Sequence, residues 1–230
     1  MNSSANPGRL VGLIYAAISI PGAFALIYVP SKIMVPGNAA ATASNIVAHE
    51  TLFRWGIASQ LVSQILFMWV ALALYDLLKG VNQRRASLML GLIVVSIPIA
   101  LLNELNALAA LILARGAEFL SAFDAPQRDA LAMLFINLHN RGFDIAEIFW
   151  GLWLFPLGLL VYRSGFFPRI LGVLLMISCC AYVADAFAPI VLPQHIQAVS
   201  RWTSPLRLGE LIFMVWLLVM GAKPKRVVFS

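Results

Sequence analysis

The chain has 230 residues, of which 61% are hydrophobic and 11% charged, and its formal net charge is +6. Soluble domains are about half apolar and about a quarter charged, so a mean hydropathy of +0.88 excludes an ordinary soluble protein. The 16 Lys and Arg residues lie at the ends of apolar runs and form no basic stripe with interleaved aromatic residues. We therefore expect the lipid bilayer, and no nucleic acid, as the partner of this basic chain.

Six apolar runs are each long enough to cross a bilayer, which takes about 20 mostly apolar residues. The sequence predicts an all-α polytopic membrane helix bundle, with residues 1–230 as a single integral membrane domain. The spans are expected at roughly 10–33, 51–78, 87–113, 143–162, 168–189 and 205–222. The first apolar run is longer than the core of a signal peptide, about 7–15 residues, so we interpret it as an uncleaved span.

A short amphipathic helix is predicted over residues 124–140, just before the fourth span. Asp124 is a suitable N-cap and Pro126 falls in the first turn. This segment either lies on the membrane surface or continues into the fourth span with a bend at Gly142, and we favour the continuation.

Basic residues indicate the orientation, because short cytoplasmic loops are rich in Lys and Arg. With both termini in the cytoplasm, nine of the 16 basic residues fall on inner segments and seven on outer ones. The nine are Arg9, Lys79, Arg84, Arg85, Arg163, Arg169, Lys223, Lys225 and Arg226. The acidic residue close to these basic residues is Asp76, and its spacing allows it to form an ion pair with Lys79.

Polar side chains recur at helical spacing in four of the spans. A charge at the bilayer centre costs about 2.5–3.5 kcal/mol, so these side chains are expected to share an interior. The stripes are Ser96, Asn103 and Asn106; Asn140, Asp144, Glu147 and Gly151; Ser178, Tyr182 and Asp185; and Thr203, Arg207 and Glu210. They predict a polar, acidic cavity that opens in the outer half of the membrane.

Three carboxylates are the candidate catalytic residues: Glu147, Asp144 and Glu104. We expect Asp144 to be an anion, stabilised by the positive end of a helix dipole at the start of the fourth span, and the deeper Glu147 to carry a transferable proton. In the alternative interpretation Asp144 caps the helix, Glu147 pairs with Arg207, and the polar contacts only hold helices together.

Seven further residues are candidates for binding in the same cavity: Asn103, Asp185, Arg207, Glu210, His139, Tyr182 and Arg54. Arg207 is expected to neutralise at least one carboxylate there, with Glu210 and Glu147 as the candidates. No cofactor and no metal site are predicted, since His49, His139 and His195 lack metal-binding spacing and Cys179 and Cys180 are adjacent in mid-span. Four tryptophans are expected at the membrane interface and on lipid-facing surface: Trp150, Trp153, Trp202 and Trp216.

Three classes of function remain open. An enzyme could act on a lipid, isoprenoid or other hydrophobic small molecule by carboxylate acid–base chemistry, and this is the preferred hypothesis. A transporter or binding protein could hold a proton or small solute, although the sequence has no inverted repeat. An accessory protein could bind a partner helix through the close-approach face of Gly151 and Gly158. A homo-oligomer also stays open, since six spans could serve as half of a dimer.

Two stretches carry a resemblance to a known family. VPSKIMVPGNAAATASNIVAHETLFRWGIASQL (29–61) and GLWLFPLGLLVYRSGFFPRILGVLLMISCCAYVADAF (151–187) resemble the bacterial DUF4386 family of multipass membrane proteins. The specific parts are VPGNAAATA and LVYRSGFFPRILG, and the family more often has Asp at the position of Asn38. The resemblance implies about six spans in a bacterial inner membrane, and it supplies no catalytic residues because the function of the family is unknown.

The basic loops KGVNQRR and YRSGFFPR lead to the first prediction. Reporter fusions at Gly80 and Ser164 should give cytoplasmic signals, and a fusion at Asp124 an external one. Reporter activity on the two sides of the membrane measures this directly. The opposite pattern would invert the orientation.

Overall fold

The computed structural model describes residues 6–222, which are mostly helical and contain no strand. The α-helices of this range are α1 (Pro7–Ala23), α2 (Val29–Ile33), α3 (Ala39–Ala48), α4 (Glu50–Leu78), α5 (Gln83–Arg115), α6 (Ala125–Leu152), α7 (Leu154–Arg163), α8 (Arg169–Val191) and α9 (Ile196–Met220). A π-helical turn, Phe24–Tyr28, joins α1 to α2, and two short 3-10 helices, Glu118–Leu120 and Pro193–His195, lie in connections. The predicted all-α fold class is confirmed.

Six helical segments are long and apolar enough to cross a membrane, so the protein is a multipass membrane protein that contacts the lipid bilayer. The segments are Pro7–Ile33, Glu50–Leu78, Gln83–Arg115, Ala125–Arg163, Arg169–Val191 and Pro193–Met220. The third begins earlier than predicted, with Arg84 and Arg85 in its first turn, and the sixth also begins earlier. Hydropathy falls at such polar residues although the helix itself continues through them.

The amphipathic segment before the fourth span is the first part of α6, as the favoured interpretation predicted. Asp124 Oδ1 accepts a hydrogen bond from the backbone N–H of Gln127 at 2.8 Å, and Gln127 Oε1 accepts one from the Asp124 N–H at 3.0 Å. This reciprocal pair is a capping box, which satisfies two amides at the helix start. The helix runs through Gly142 without interruption, and it breaks at Trp153 instead.

The role predicted for the helix dipole at Asp144 is wrong. Asp144 lies about five turns beyond the first residue of α6, Ala125. The dipole stabilises an anion only within about the first turn, so it does not act on this carboxylate. The error arose because the hydropathy pattern marks where the membrane begins, and the helix begins 18 residues before the predicted span, at 125 rather than 143.

The connection between the first two spans contains α3, a helix that the sequence analysis did not predict. Asn38 caps it, since its Oδ1 accepts a hydrogen bond from the Ala41 N–H at 2.9 Å. Asp and Asn cap helices about equally well, so Asn38 supplies this cap without adding a charge.

Two compact units are formed by discontinuous stretches of the chain. The first unit contains the residues up to Ile18, Leu66–Ile97 and the residues from Asp144 onward, and the second contains Ser19–Ile65 and Pro98–Phe143. The core of the first unit includes Trp153, Leu154, Leu157, Leu175 and Phe213, and that of the second Ile33, Ile46, Ala107, Ala110 and Ile136. The single integral membrane domain stays a prediction.

Trp153 is buried inside the first unit, so the interface position predicted for it is wrong. Its ring packs edge-on against Phe67, with centroids 5.2 Å apart. Trp202 is 76% exposed, as expected for a residue on the lipid-facing or interfacial surface.

Both ends of the described range meet in the first unit. The Asn6 side-chain oxygen accepts hydrogen bonds from the N–H groups of Gly8 and Ala222 at 3.1 and 3.0 Å. Phe167, in the α7–α8 loop, packs on Phe213 and Trp216 of α9, with ring centroids 5.6 and 5.1 Å apart. These contacts bring Asn6, Ala222 and this basic loop to the same end of α9. The basic residues Lys223, Lys225 and Arg226 lie outside the described residues.

The α4–α5 connection contains the ion pair that the sequence spacing predicted. Lys79 Nζ donates a hydrogen bond to Asp76 Oδ1 at 2.6 Å, and this bond raises the pKa of the Lys79 ammonium above its usual value. Both side chains are exposed, so the pair contributes little to stability.

Glycines allow α7 and α8 to pack with their backbones in contact. A Cβ atom on Gly172 would lie 2.6 Å from the Gly158 carbonyl oxygen and 2.7 Å from the Tyr162 nitrogen. A Cβ atom on Gly151 would lie 2.8 Å from the Tyr182 Cβ. The close-approach face predicted at Gly151 and Gly158 is therefore occupied by α8 of the same chain, which removes the sequence argument for a partner helix there.

The second prediction concerns this contact. Gly172→Ala should lower the free energy of unfolding by about 1–3 kcal/mol or more, because the methyl group meets backbone atoms that cannot rotate away. Thermal unfolding in detergent micelles measures the change. Gly91→Ala on α5 is the matched control: a Cβ there meets nothing within 4 Å, so stability should stay constant or rise by up to about 1 kcal/mol. Equal effects of the two variants would contradict the tight contact.

Candidate functional site

Arg207 is the centre of a polar cluster in the first unit. Its Nη1 donates a hydrogen bond to Glu147 Oε1 at 2.8 Å and lies 3.2 Å from Asp185 Oδ2. The guanidinium also stacks over the Tyr182 ring, 5.0 Å from its centroid. Helices α6, α8 and α9 therefore bring three of the four predicted polar stripes together, and the expectation that Arg207 contacts a carboxylate is confirmed for Glu147.

Asp185 has one well-bonded and one poorly bonded oxygen. Its Oδ1 accepts a hydrogen bond from Thr203 Oγ1 at 2.6 Å. Its Oδ2 is buried and, within residues 6–222, has no hydrogen-bond partner, although Arg207 Nη1 is near. The two observations differ because an ion pair needs only proximity, whereas a hydrogen bond also needs an N–H directed at the oxygen. We treat the contact as an ion pair without a hydrogen bond.

The Glu210 carboxylate is hydrogen-bonded by tyrosines, although Arg207 lies on the same helix. Its carboxylate accepts a hydrogen bond from the Tyr15 hydroxyl and a second from Tyr182. Sequence reasoning missed Tyr15, and its available signal was a hydroxyl within the mostly apolar first span. Asp144, three residues before Glu147 on α6, interacts electrostatically with that carboxylate.

The cluster contains more acids than bases. Glu147, Asp185 and Glu210 surround the single guanidinium of Arg207. Burying uncompensated charge in a membrane is expensive, so such a cluster must retain protons, admit water or bind a cation.

A second polar cluster lies within the second unit and connects α5 to α6. Glu104, only 4% exposed, has its Oε1 3.1 Å from His139 Nε2. Asn103 Nδ2 donates to the His139 carbonyl at 2.7 Å, and Asn106 Nδ2 donates to Asn103 Oδ1 at 3.0 Å. Gly142 leaves room for this contact, because a Cβ atom there would overlap the Asn103 side-chain amide and force it to shift. Asn103 thus fixes the part of α6 that carries His139.

A cavity of about 200 Å³ opens beside this pair, inside the second unit. Its walls are mostly apolar and include Val29, Phe53 and Phe143, whereas its polar lining comprises Gln60, Glu104, His139 and Asn140. An apolar cavity with a few convergent polar groups is the usual form of a small-molecule site.

Arg54, although predicted to bind in the cavity, is not among the lining residues. Its Nε pairs with Glu50 Oε1 at 2.7 Å, and Arg115 Nη1 reaches the same oxygen at 3.2 Å. The two arginine side chains are about half exposed, so this is a surface ion network.

Gln60 is the cavity residue that sequence reasoning missed. Its Oε1 is buried and, among the described residues, has no hydrogen-bond partner. The available signal was an amide in the interior of an apolar span, where polar side chains are rare and costly. No group of three or more His, Cys, Asp or Glu side chains in residues 6–222 is arranged to hold a metal ion.

The third prediction tests the Arg207 cluster by a double-mutant cycle. Arg207→Ala should lower the free energy of unfolding by about 2–3 kcal/mol, between the values for exposed and fully buried pairs, because it leaves carboxylates without a cation. Adding Glu147→Gln should restore part of that loss. Thermal unfolding measures both steps, with the exposed Arg201→Ala on the same helix as the control. Additive effects would show that the two side chains are not coupled.

Comparisons with known proteins identify the family of this chain. A family model described as a domain of unknown function, DUF4386, matches residues 10–221. A relative from Archaeoglobus fulgidus, called an uncharacterized protein, is 35% identical over 85 residues, which are 37% of this chain and 49% of the relative. The match thus spans about half of the relative's length. No solved structure matches the chain. With more than nine tenths of its length matched by the family model, this chain belongs to the DUF4386 family of proteins.

Proposed function

We propose that the protein binds a small hydrophobic molecule in the cavity of the second unit and acts on it by acid–base chemistry. The observation that carries this proposal is the buried Glu104–His139 pair, which lines a cavity with otherwise mostly apolar walls. Lipids, isoprenoids and other apolar small molecules reach such a site directly from the bilayer. An enzyme is thus the class of function that this geometry favours.

The chemistry follows from the pairing of the two groups. A carboxylate that hydrogen-bonds an imidazole orients the ring and stabilises its protonated form, so that a proton can move between ligand, His139 and Glu104. Which atom carries the proton at rest depends on the tautomer of His139. Low exposure of both side chains keeps bulk water from competing with the ligand for that proton.

This proposal assigns to Glu104 the proton-transfer role that the sequence suggested for Glu147. Glu147 is bonded to the permanently charged Arg207 and does not line the cavity. The acid-rich cluster around Arg207 favours a second candidate function, the binding or transport of a proton or small cation, in which Glu147, Asp185 and Glu210 would be the binding groups.

We also propose a plasma-membrane location with both termini in the cytoplasm. The support is the basic character of the two short connections after α4 and α7, together with the contact between Asn6 and Ala222 at the chain ends. The archaeal relative means that the resemblance does not confine the chain to bacteria. A homo-oligomer stays a prediction.

The fourth prediction separates the two candidate functions. In cells that make the protein, mass spectrometry of membrane lipid extracts should detect a component that is consumed or formed. Glu104→Gln and His139→Gln should slow this change about 10²–10⁴-fold, the usual contribution of a general acid or base. Glu118→Gln, an exposed acid of the second unit, is the control and should behave as wild type.

Two outcomes would contradict the enzyme proposal. One is a change that persists in folded Glu104→Gln, and the other is the absence of any change with folded wild-type protein. A change that is lost in Glu147→Gln but kept in Glu104→Gln would return the proton-handling role to the Arg207 cluster.

A further inference from the structure

A concave surface of about 530 Å³ lies in the first unit, where α5 begins. It is lined by Asn82, Arg84, Arg85 and Leu88. Asn82, Arg84 and Leu88 are exposed, so a molecule from outside the chain can reach this surface. The proposed function, which rests on the cavity of the second unit, does not use these residues.

The two arginines of this surface have no counter-charge of their own. Arg84 and Arg85 form no ion pair with a carboxylate anywhere in residues 6–222, and the first turn of α5 contains no acidic residue. The Asp76 carboxylate, at the end of α4, is engaged by Lys79 at 2.6 Å. Adjacent cations repel each other, so the arginines would be stabilised by an anion that another molecule supplies.

The arginines are not needed to stabilise the start of the helix. Asn82 caps this turn, since its Oδ1 accepts a hydrogen bond from the Arg85 N–H at 2.9 Å and its carbonyl accepts one from the Ala86 N–H at 3.0 Å. Cations in a first turn are unfavourable to the helix dipole. The guanidinium groups, whose planar pairs of N–H donors match phosphate oxygens, are therefore the part of this surface that can bind an anion.

The order of side chains along α5 matches the order of groups in a phospholipid. The helix has 33 residues and is about 50 Å long, whereas the hydrocarbon core is about 30 Å thick, so its ends extend to the headgroups. Arg84 and Arg85 precede the apolar run, and Leu88, which is 56% exposed, lies about one turn deeper. Ala86 and Met89 are fully buried in the core of the first unit, and they leave Arg84 and Leu88 on the outer face.

We propose that this surface binds the headgroup of an anionic phospholipid, with the phosphate at Arg84 and Arg85 and the first acyl carbons against Leu88. The bilayer already places such molecules beside Leu88, and a soluble phosphate would leave that side chain uncovered. Basic residues in a short connection also orient a membrane protein, but orientation requires only their charge and no concave surface with an apolar wall. The proposal goes beyond the proposed function and does not depend on it.

The fifth prediction compares two lipids with the same acyl chains, the anionic phosphatidylglycerol and the zwitterionic phosphatidylcholine. Their binding to the full-length protein in detergent is measured by native mass spectrometry. Each nearby arginine strengthens the binding of an anionic lipid about fivefold, so the wild-type protein should prefer phosphatidylglycerol by about tenfold to thirtyfold.

Two double variants locate the preference. Arg84→Gln with Arg85→Gln removes both guanidinium groups and should abolish most of the preference. Arg163→Gln with Arg169→Gln is the matched control, because it removes the same charge from the other short basic connection, between α7 and α8. Arg163 and Arg169 are exposed and do not line the concave surface, so most of the preference should remain.

Three results would contradict the proposal. Equal binding of the two lipids to wild type would overturn it. Equal losses in the two double variants would also overturn it, since the lipid would then respond to the general positive charge of the protein. Displacement of phosphatidylglycerol by excess glycerol 3-phosphate would assign the surface to a soluble ligand instead.

The control variant still decides the matter if the variant of Arg84 and Arg85 does not fold. A preference that is lost in the folded variant of Arg163 and Arg169 would place the lipid site at the other connection. None of these results bears on the proposed function, which is tested by variants of the second unit.

Discussion

Hydrocarbon offers no hydrogen bonds, so every polar group at membrane depth must find its partner within the protein or in a molecule that the protein encloses. In the first unit Arg207 meets part of this demand by contacting carboxylates from α6 and α8 and a tyrosine ring, whereas Asp185 Oδ2 has no hydrogen-bond partner among the described residues. Each of these contacts fixes the rotation of a helix about its axis, because a helix turned by a third of a turn would expose its charge to lipid. The apolar core around Trp153 then packs in a register that the polar contacts have already set.

The same constraint applies to the second unit, in which some buried polar groups are hydrogen-bonded and one residue at the cavity has an unpaired oxygen. Asn103 and Asn106 are bonded within the chain, whereas Gln60 Oε1 has no partner among the described residues. Polar groups that only hold helices together stabilise the fold most when all their hydrogen bonds are made, whereas a buried amide without a partner lowers stability. The Glu104–His139 pair at the wall of a mostly apolar cavity is the physical reason to assign the binding role to this unit.

The sequence predicted most of what depends on local composition. Six spans, the Asp124 cap and the stripe spacing of Tyr182 with Asp185 could all be derived from hydropathy and helical period. Other features depend on which helices pack against each other, and the polar residues of one helix do not reveal its neighbours. For that reason Glu104 and Glu147 could not be separated into different clusters, and Tyr15 could not be identified as the partner of Glu210. The start of α6 was missed because helix formation does not stop where hydropathy falls.

The first and last spans contact each other through glycines. Gly8 and Gly12 of α1 approach the backbone of Ala222 and Leu218, at the other end of the chain. Leu218 follows Gly12 by 206 residues, and ribosomes add about 5–20 residues per second, so α1 stays in the membrane for roughly 10–40 s before its partner is made. During that time the glycine face has no Leu218 to pack against and the Tyr15 hydroxyl has no Glu210 carboxylate to bond. The contact between the first and last spans therefore forms only after nearly the whole chain has been made.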